Sequence, residues 1–239
     1  MTLSALARPK VNLTLTVEGQ RPDGYHLLQS IVCFTSGGDR VTVAPADALS
    51  LKITGPFAGN LDAGDTDNLI LRAARLLQDA APGAPGAAIA LEKNLPVASG
   101  IGGGSADAAT TLQLLCRLWD LELSPAELAE MGLTLGADVP ACLMGQPLML
   151  SGIGENLAPF TAFPKLHMLL VNPGKAVATP TVFRSLNWQP QNRAEPGRAA
   201  APRANSITLQ DIHAGTNDLQ APAISLIPEI SAALTLMAA

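Results

Sequence analysis

The chain has 239 residues, of which 48% are hydrophobic and 15% charged, so a substantial core is available and global disorder is excluded. That length suits one large domain or two small ones. A net charge of −5 without a basic tract argues against nucleic acid as a partner, and no apolar run approaches the roughly 18 residues a membrane span needs.

The chain opens without an apolar signal region or a cleavage site, since Arg8 and Lys10 follow a short, weakly apolar start. A cytoplasmic protein is the expectation. Residues 10–17 (KVNLTLTV) alternate with period 2, which predicts a half-buried strand. Its apolar face is Val11, Leu13, Leu15 and Val17, and its polar face is Lys10, Asn12, Thr14 and Thr16. Pro22, Asp23 and Gly24 then predict a turn over 20–26. Strands are expected at 31–34, 40–44, 50–54, 87–92, 147–151 and 166–171.

A helix is expected to begin at Asp67-Asn68, with Leu69, Ala73, Leu76, Leu77 and Ala80 as its apolar stripe, and to end at the loop APGAPGA (81–87). Another should occupy 105–119. Ser124-Pro125-Ala126-Glu127 reads as a capping box with proline at the first helical position, starting a helix that ends near Gly132. Gly136 to Pro140 should lead into a further short helix. The stretch 189–205 is rich in Pro, Ala, Arg and Asn and reads as a surface loop or linker. Helical patterns resume over 217–239. The mixture predicts an α+β fold in two lobes, divided near 155–165 into residues 1–158 and 159–239.

Several groups could carry chemistry. The run PVASGIGGGSADAAT (96–110) places four glycines in five positions directly before a helix. Such backbone can surround a phosphate with amide groups, and the helix N-terminus adds partial positive charge. It matches neither the P-loop nor the dinucleotide-binding spacing, and a tight strand-to-helix turn or linker is the alternative. Lys10 is either a solvated strand lysine or, with Asn12 on the same face, part of a site. Asp138 in GADVP is either a helix cap or a general base for a hydroxyl. Tyr25, the only tyrosine, and His26 could stack on a base or simply sit at a loop edge. Cys33, Cys116 and Cys142 are widely spaced and read as reduced core thiols. His26, His167 and His213 show no metal-ligand spacing, so no metal site is expected.

Taken in order, these pieces resemble one family. PKVNLTLTVEGQRPDGYH, DNLILRAARLL, LPVASGIGGGSADAAT, LGADVPACLMG, TPTVF (179–183) and NDLQ (217–220) are similar to the signatures of the 4-diphosphocytidyl-2-C-methyl-D-erythritol kinases, members of the GHMP kinase superfamily. The resemblance covers about residues 8–220. It implies a two-lobed GHMP-kinase fold, with an N-terminal lobe like domain 2 of ribosomal protein S5 and a ferredoxin-like C-terminal lobe. The implied activity is transfer of the ATP γ-phosphate, with Mg²⁺ arriving on the nucleotide, to the 2-hydroxyl of a small substrate carrying a cytidine diphosphate, in non-mevalonate isoprenoid synthesis.

By the same resemblance, Asp138 is the base and Lys10 holds it and the hydroxyl in register. Pro96, Val97, Ala98, Ser99, Gly100, Ile101, Gly102, Gly103, Gly104, Ser105 and Ala106 wrap the phosphates, with Asn68 near the adenosine. Asn12 contacts the substrate, and Tyr25, His26, Thr179, Pro180 and Phe183 receive its cytosine. The family also carries a glycine-rich motif of GSGA type in its C-terminal lobe, and none follows Ala221 here. That departure implies a truncated lobe and weak or no turnover for these 239 residues. Alternative readings are a non-catalytic nucleotide-binding relative, or a GHMP kinase for another small alcohol.

Overall fold

The computed structural model describes residues 1–62, 65, 67–186, 188 and 206–238. In chain order the strands and helices are β1 (Leu3–Ala7), β2 (Lys10–Asn12), β3 (Thr16–Gln20), β4 (His26–Phe34), β5 (Asp39–Ala46), β6 (Ser50–Thr54), α1 (Leu69–Ala80), β7 (Gly86–Glu92), α2 (Gly103–Leu118), α3 (Pro125–Leu135), α4 (Val139–Met144), β8 (Leu148–Gly152), β9 (Asn156–Pro159), α5 (Thr179–Ser185), α6 (Leu209–Ala214), α7 (Gln220–Leu226) and α8 (Glu229–Ala238). The fold is α+β. No helix among the described residues is long and apolar enough to cross a membrane.

Two compact units share the chain. The first takes residues 1–10, 34–97 and 101–145, and the second takes 11–33, 98–100 and 146–239. The sequence pattern suggested one cut after residue 158. The observed division is interleaved because β4, early in the chain, pairs antiparallel with β8, far downstream. A linear scan of composition does not register a pairing of that range.

In the first unit the sheet runs β1-β5-β7-β6. Its pairs are antiparallel except β6–β7, which is parallel and is connected through α1. Alternate residues build one apolar face: Val41 and Val43 of β5 stand opposite Leu91 and Ile89 of β7, and all four are buried. Against this sheet lies α2. Leu112, Leu114 and Leu115 point to different sides of the helix, yet all are buried. An amphipathic surface helix buries one stripe; a helix apolar nearly all round belongs inside a core. Each of these leucines contributes about 1.5–3 kcal/mol of transfer free energy. Ala106, Ala108 and Ala109 keep the helix narrow where β1, β5 and α4 close on it.

The helix starts follow their local signals. Asn68 caps α1 by accepting from the Ile70 amide at 3.0 Å. The box at Ser124 forms as expected: the Glu127 amide donates to Ser124 Oγ at 3.2 Å, and the Ser124 amide donates to the Glu127 carboxylate at 2.8 Å. The helix runs three residues past Gly132, to Leu135.

The second unit holds the sheet β2-β4-β8-β9, with β3 also paired to β4. The expected continuous strand over 10–17 is broken at Leu13–Thr14. Thr14 explains the break: its carbonyl accepts from Ser30 Oγ at 2.5 Å and its Oγ1 accepts from the Ile31 amide at 3.0 Å. Side-chain bonds replace the ladder there. Leu15 then pairs with Thr216 and Asn217. The expected strand at 166–171 does not form. Its residues form a nearly continuous apolar run, but no described strand pairs with it, and Leu169 is 73% exposed. The helical pattern expected over 217–239 resolves into α7 and α8, split at Ile227–Pro228, because proline cannot continue the preceding helix. Strands β1, β3 and β9 and helices α5 and α6 are additional to the expected elements. The 189–205 loop lies outside the described residues.

Candidate active site

The glycine-rich run forms the entry to α2. Ala98, Gly100 and Gly102 all have positive φ, at 53°, 77° and 64°, so the backbone reverses repeatedly over five residues. Gly102 is the N-cap of α2, and no side chain caps that end. The first intrahelical bond runs from the Ala106 amide to the Gly102 carbonyl at 2.9 Å. The amides of the first turn therefore stand available, backed by the dipole of a 16-residue helix. This is the local geometry that receives an anion, and it fits a nucleotide phosphate.

Within the first unit, Lys10 comes directly to this turn. A Cβ added at Gly102 would lie 3.1 Å from Lys10 Cγ and 3.4 Å from its Cε. The lysine is only 5% exposed, so it is not a solvated strand residue. Its Nζ sits 3.1 Å from Asp138 Oδ1. Asp138 does occupy the N-cap position of α4, yet its side chain makes no capping bond. Its carboxylate turns to Lys10 instead and remains 40% exposed. The structure thus brings together an ammonium, a reachable carboxylate and an uncapped helix start. Asn68 lies one residue before Leu69, whose Cδ1 would stand 3.5 Å from a Cβ at Gly104.

Beneath the same turn lies a second ionic group that the sequence reading did not single out. Lys93 Nζ donates to Asp39 Oδ2 and, at 2.9 Å, to Asp107 Oδ2. The three residues are 3%, 0% and 3% exposed. Burial pushes Asp107 up to about 7, against the lowering influence of Lys93 and with Asp39 adding to the rise. Burial by itself would lower Lys93, but the Asp107 charge and the bonds to both carboxylates outweigh it and raise it. Two carboxylates share one ammonium, and Asp107 is the one whose second oxygen has no donor among the described residues. No spacing rule joins these residues; an acidic residue inside the run GGGSADAA was the sole available hint.

In the second unit, His26 stacks on Phe183 with ring centroids 5.3 Å apart and planes 24° from parallel. Burial pulls the His26 imidazole below its ordinary value. Thr179 and Pro180 open α5, the helix that carries Phe183. Tyr25 is 59% exposed at the turn. Asn12 Nδ2 donates to Ser30 Oγ at 2.6 Å. The cysteines are free and burial pushes their thiols up, Cys33 to about 11 and Cys142 to about 12, which makes them poor nucleophiles. Among the described residues no group of three or more His, Cys, Asp and Glu could hold a metal.

Comparison with known proteins bears on this geometry. The GHMP kinases N terminal domain family matches residues 68–146, the segment from the cap of α1 to the end of α4. The 4-diphosphocytidyl-2-C-methyl-D-erythritol kinase of a Chelativorans species is 49% identical over 99% of this chain and 80% of its own length. The chain belongs to the 4-diphosphocytidyl-2-C-methyl-D-erythritol kinase family. The enzyme of that name from Cereibacter sphaeroides is 51% identical over 98% of this chain and 81% of its own. A crystal structure of a 4-(cytidine 5'-diphospho)-2C-methyl-D-erythritol kinase superposes with a TM-score of 0.72 and 34% identity, covering 97% of this chain and 81% of that one. The family consists of kinases, and GHMP kinases use ATP, which agrees with an uncapped glycine-rich helix start.

Proposed function

We propose that this chain phosphorylates the 2-hydroxyl of 4-diphosphocytidyl-2-C-methyl-D-erythritol with ATP, a step of isoprenoid synthesis. The observation that carries the reading is the Lys10–Asp138 pair set against Gly102, at the mouth of an uncapped helix. Phosphoryl transfer asks a protein for positioning and charge stabilisation more than for covalent chemistry.

ATP would supply the phosphoryl group, and Mg²⁺ arriving with it would offset phosphate charge. The main chain of Pro96 to Ala106 receives the phosphates, and Asn68 lies near the adenosine. Asp138 accepts the proton of the attacking hydroxyl. Lys10 holds Asp138 and that hydroxyl in register and offsets negative charge. Asn12 contacts the substrate. Tyr25, His26, Thr179, Pro180 and Phe183 receive the cytosine, and the stacked His26–Phe183 pair supports that role. In this reading the first unit binds ATP and carries the chemistry, while the second recognises the substrate.

The test is an assay with ATP, Mg²⁺ and the cytidine substrate. Phosphoryl transfer with the wild-type residues should yield ADP and the 2-phosphate, and a normal rate for these 239 residues overturns the weak turnover expected from the missing GSGA-type motif. Asp138→Asn should lower kcat on the order of 10²–10⁴-fold with substrate binding kept. Unchanged turnover in that variant removes Asp138 from the mechanism. Equal turnover of mevalonate or homoserine overturns the substrate assignment.

A further inference from the structure

The chain buries three charged side chains directly under its phosphate-type loop. Burying charge costs several kcal/mol per ion, and a buried salt bridge is weak evidence of added stability. Among the described residues, one carboxylate oxygen here, Asp107 Oδ1, even lacks a donor. A cluster selected for stability alone would satisfy it.

The bonds of the cluster lead to both ends of the loop. Asp39 Oδ1 accepts from the amides of Asn94 at 2.6 Å and Leu95 at 2.9 Å, the two residues before Pro96. Asp107 stands in α2 just after the loop, with Thr111 Oγ1 bonded to its carbonyl at 2.8 Å. Lys93 ties the two carboxylates together. A Cβ at Gly103 would lie 3.4 Å from Lys93 Nζ and 3.8 Å from Asp39 Oδ2, so the first turn of α2 rests on the cluster.

We infer that Lys93, Asp39 and Asp107 are positioning residues that hold the entry and exit of the glycine-rich loop at the separation the ATP phosphates require. The inference rests on the reading of that loop as a phosphate site. The residues touch no reacting atom. They act through the main-chain amides of 94–95 and of the α2 start. A Cβ at 103 would stand in ordinary van der Waals contact with the ammonium, so the helix backbone there lies directly on the cluster.

The experiment compares ATP with adenosine by calorimetry, alongside thermal midpoints and steady-state kinetics. Two variants serve: Asp107→Asn, which keeps shape, and Lys93→Gln/Asp107→Asn, which removes one charge of each sign and shortens the tie. Wild type should bind ATP more tightly than adenosine. The double variant should lose about 10–100-fold in ATP affinity, with a matching rise in the ATP KM, while adenosine binding and the KM of the cytidine substrate hold. A folded double variant with wild-type ATP affinity overturns the inference. If the double variant fails to fold, Asp107→Asn decides: wild-type ATP affinity there overturns the inference, and weakened ATP binding with unaltered adenosine binding sustains it. A wild type that binds adenosine as tightly as ATP removes the phosphate-loop reading itself, an outcome visible before any variant is measured.

Discussion

Two lysine–aspartate groups meet the same few glycines, one at Gly102 and one at Gly103, and they differ in what water can reach. Asp138 has a side chain 40% exposed beside a buried Lys10. Asp39 and Asp107, against Lys93, are sealed. An exposed carboxylate on a buried ammonium can exchange its solvent for a substrate hydroxyl. A sealed group has nothing to exchange; its energy is spent on geometry. The same residue types are thus suited to opposite duties because one lies at the rim of the helix start and the other beneath it.

The contrast is broken or sharpened by substitution. Asp138→Asn should produce the largest change in rate, on the order of 10²–10⁴-fold in kcat, with unfolding free energy altered by under about 1 kcal/mol. A comparable loss of stability, read by urea unfolding, would erase the difference between the two groups. Asp39→Ala should do the reverse. It strips Lys93 of a partner and two amides of their acceptor, so stability should fall by about 3–5 kcal/mol in the same titration. Gly102→Ala tests where the groups meet the loop. With φ at 64° and Lys10 Cγ 3.1 Å away, it should cost about 1 kcal/mol of stability and displace Lys10, lowering kcat. Wild-type kcat in a folded Gly102→Ala would detach Lys10 from the chemistry.

The last effect is on pH dependence. Burial raises Asp107 from 3.8 to about 7, so between those values the folded chain holds a proton that the unfolded chain has released. More protons bound in the folded state means that stability falls as pH rises through this window. The contribution is complete only below the unfolded value and is gone above about pH 7. Asp107→Asn cannot ionise and should flatten that slope, as urea midpoints across the window would register. A slope unchanged in the variant would assign the titration to another group.

Much of the fold could be read from local pattern. The caps at Asn68 and Ser124 and the alternation in β5 and β7 depend on neighbours within a few residues, and those elements formed where expected. The broken strand at Thr14 and the unpaired 166–171 segment mark the limit of that reading. An apolar pattern reports what a segment could bury, and it carries no information on whether a partner strand arrives. The site divides in the same way. The glycine-rich run was legible because loop and helix are contiguous, whereas nothing local showed that the Asp138 carboxylate turns to Lys10 and not back onto its own helix.

By itself the chain's order of residues determined the family, the helix start able to receive an anion and the types of group available to it, since each is written in contiguous residues. Tertiary structure alone decided which charges meet. Lys93 finds Asp39 from 54 positions away and Asp107 from 14, and no periodicity joins them. It decided also which carboxylate water can reach, because burial is set by everything that packs around a group and not by the residues beside it in the chain.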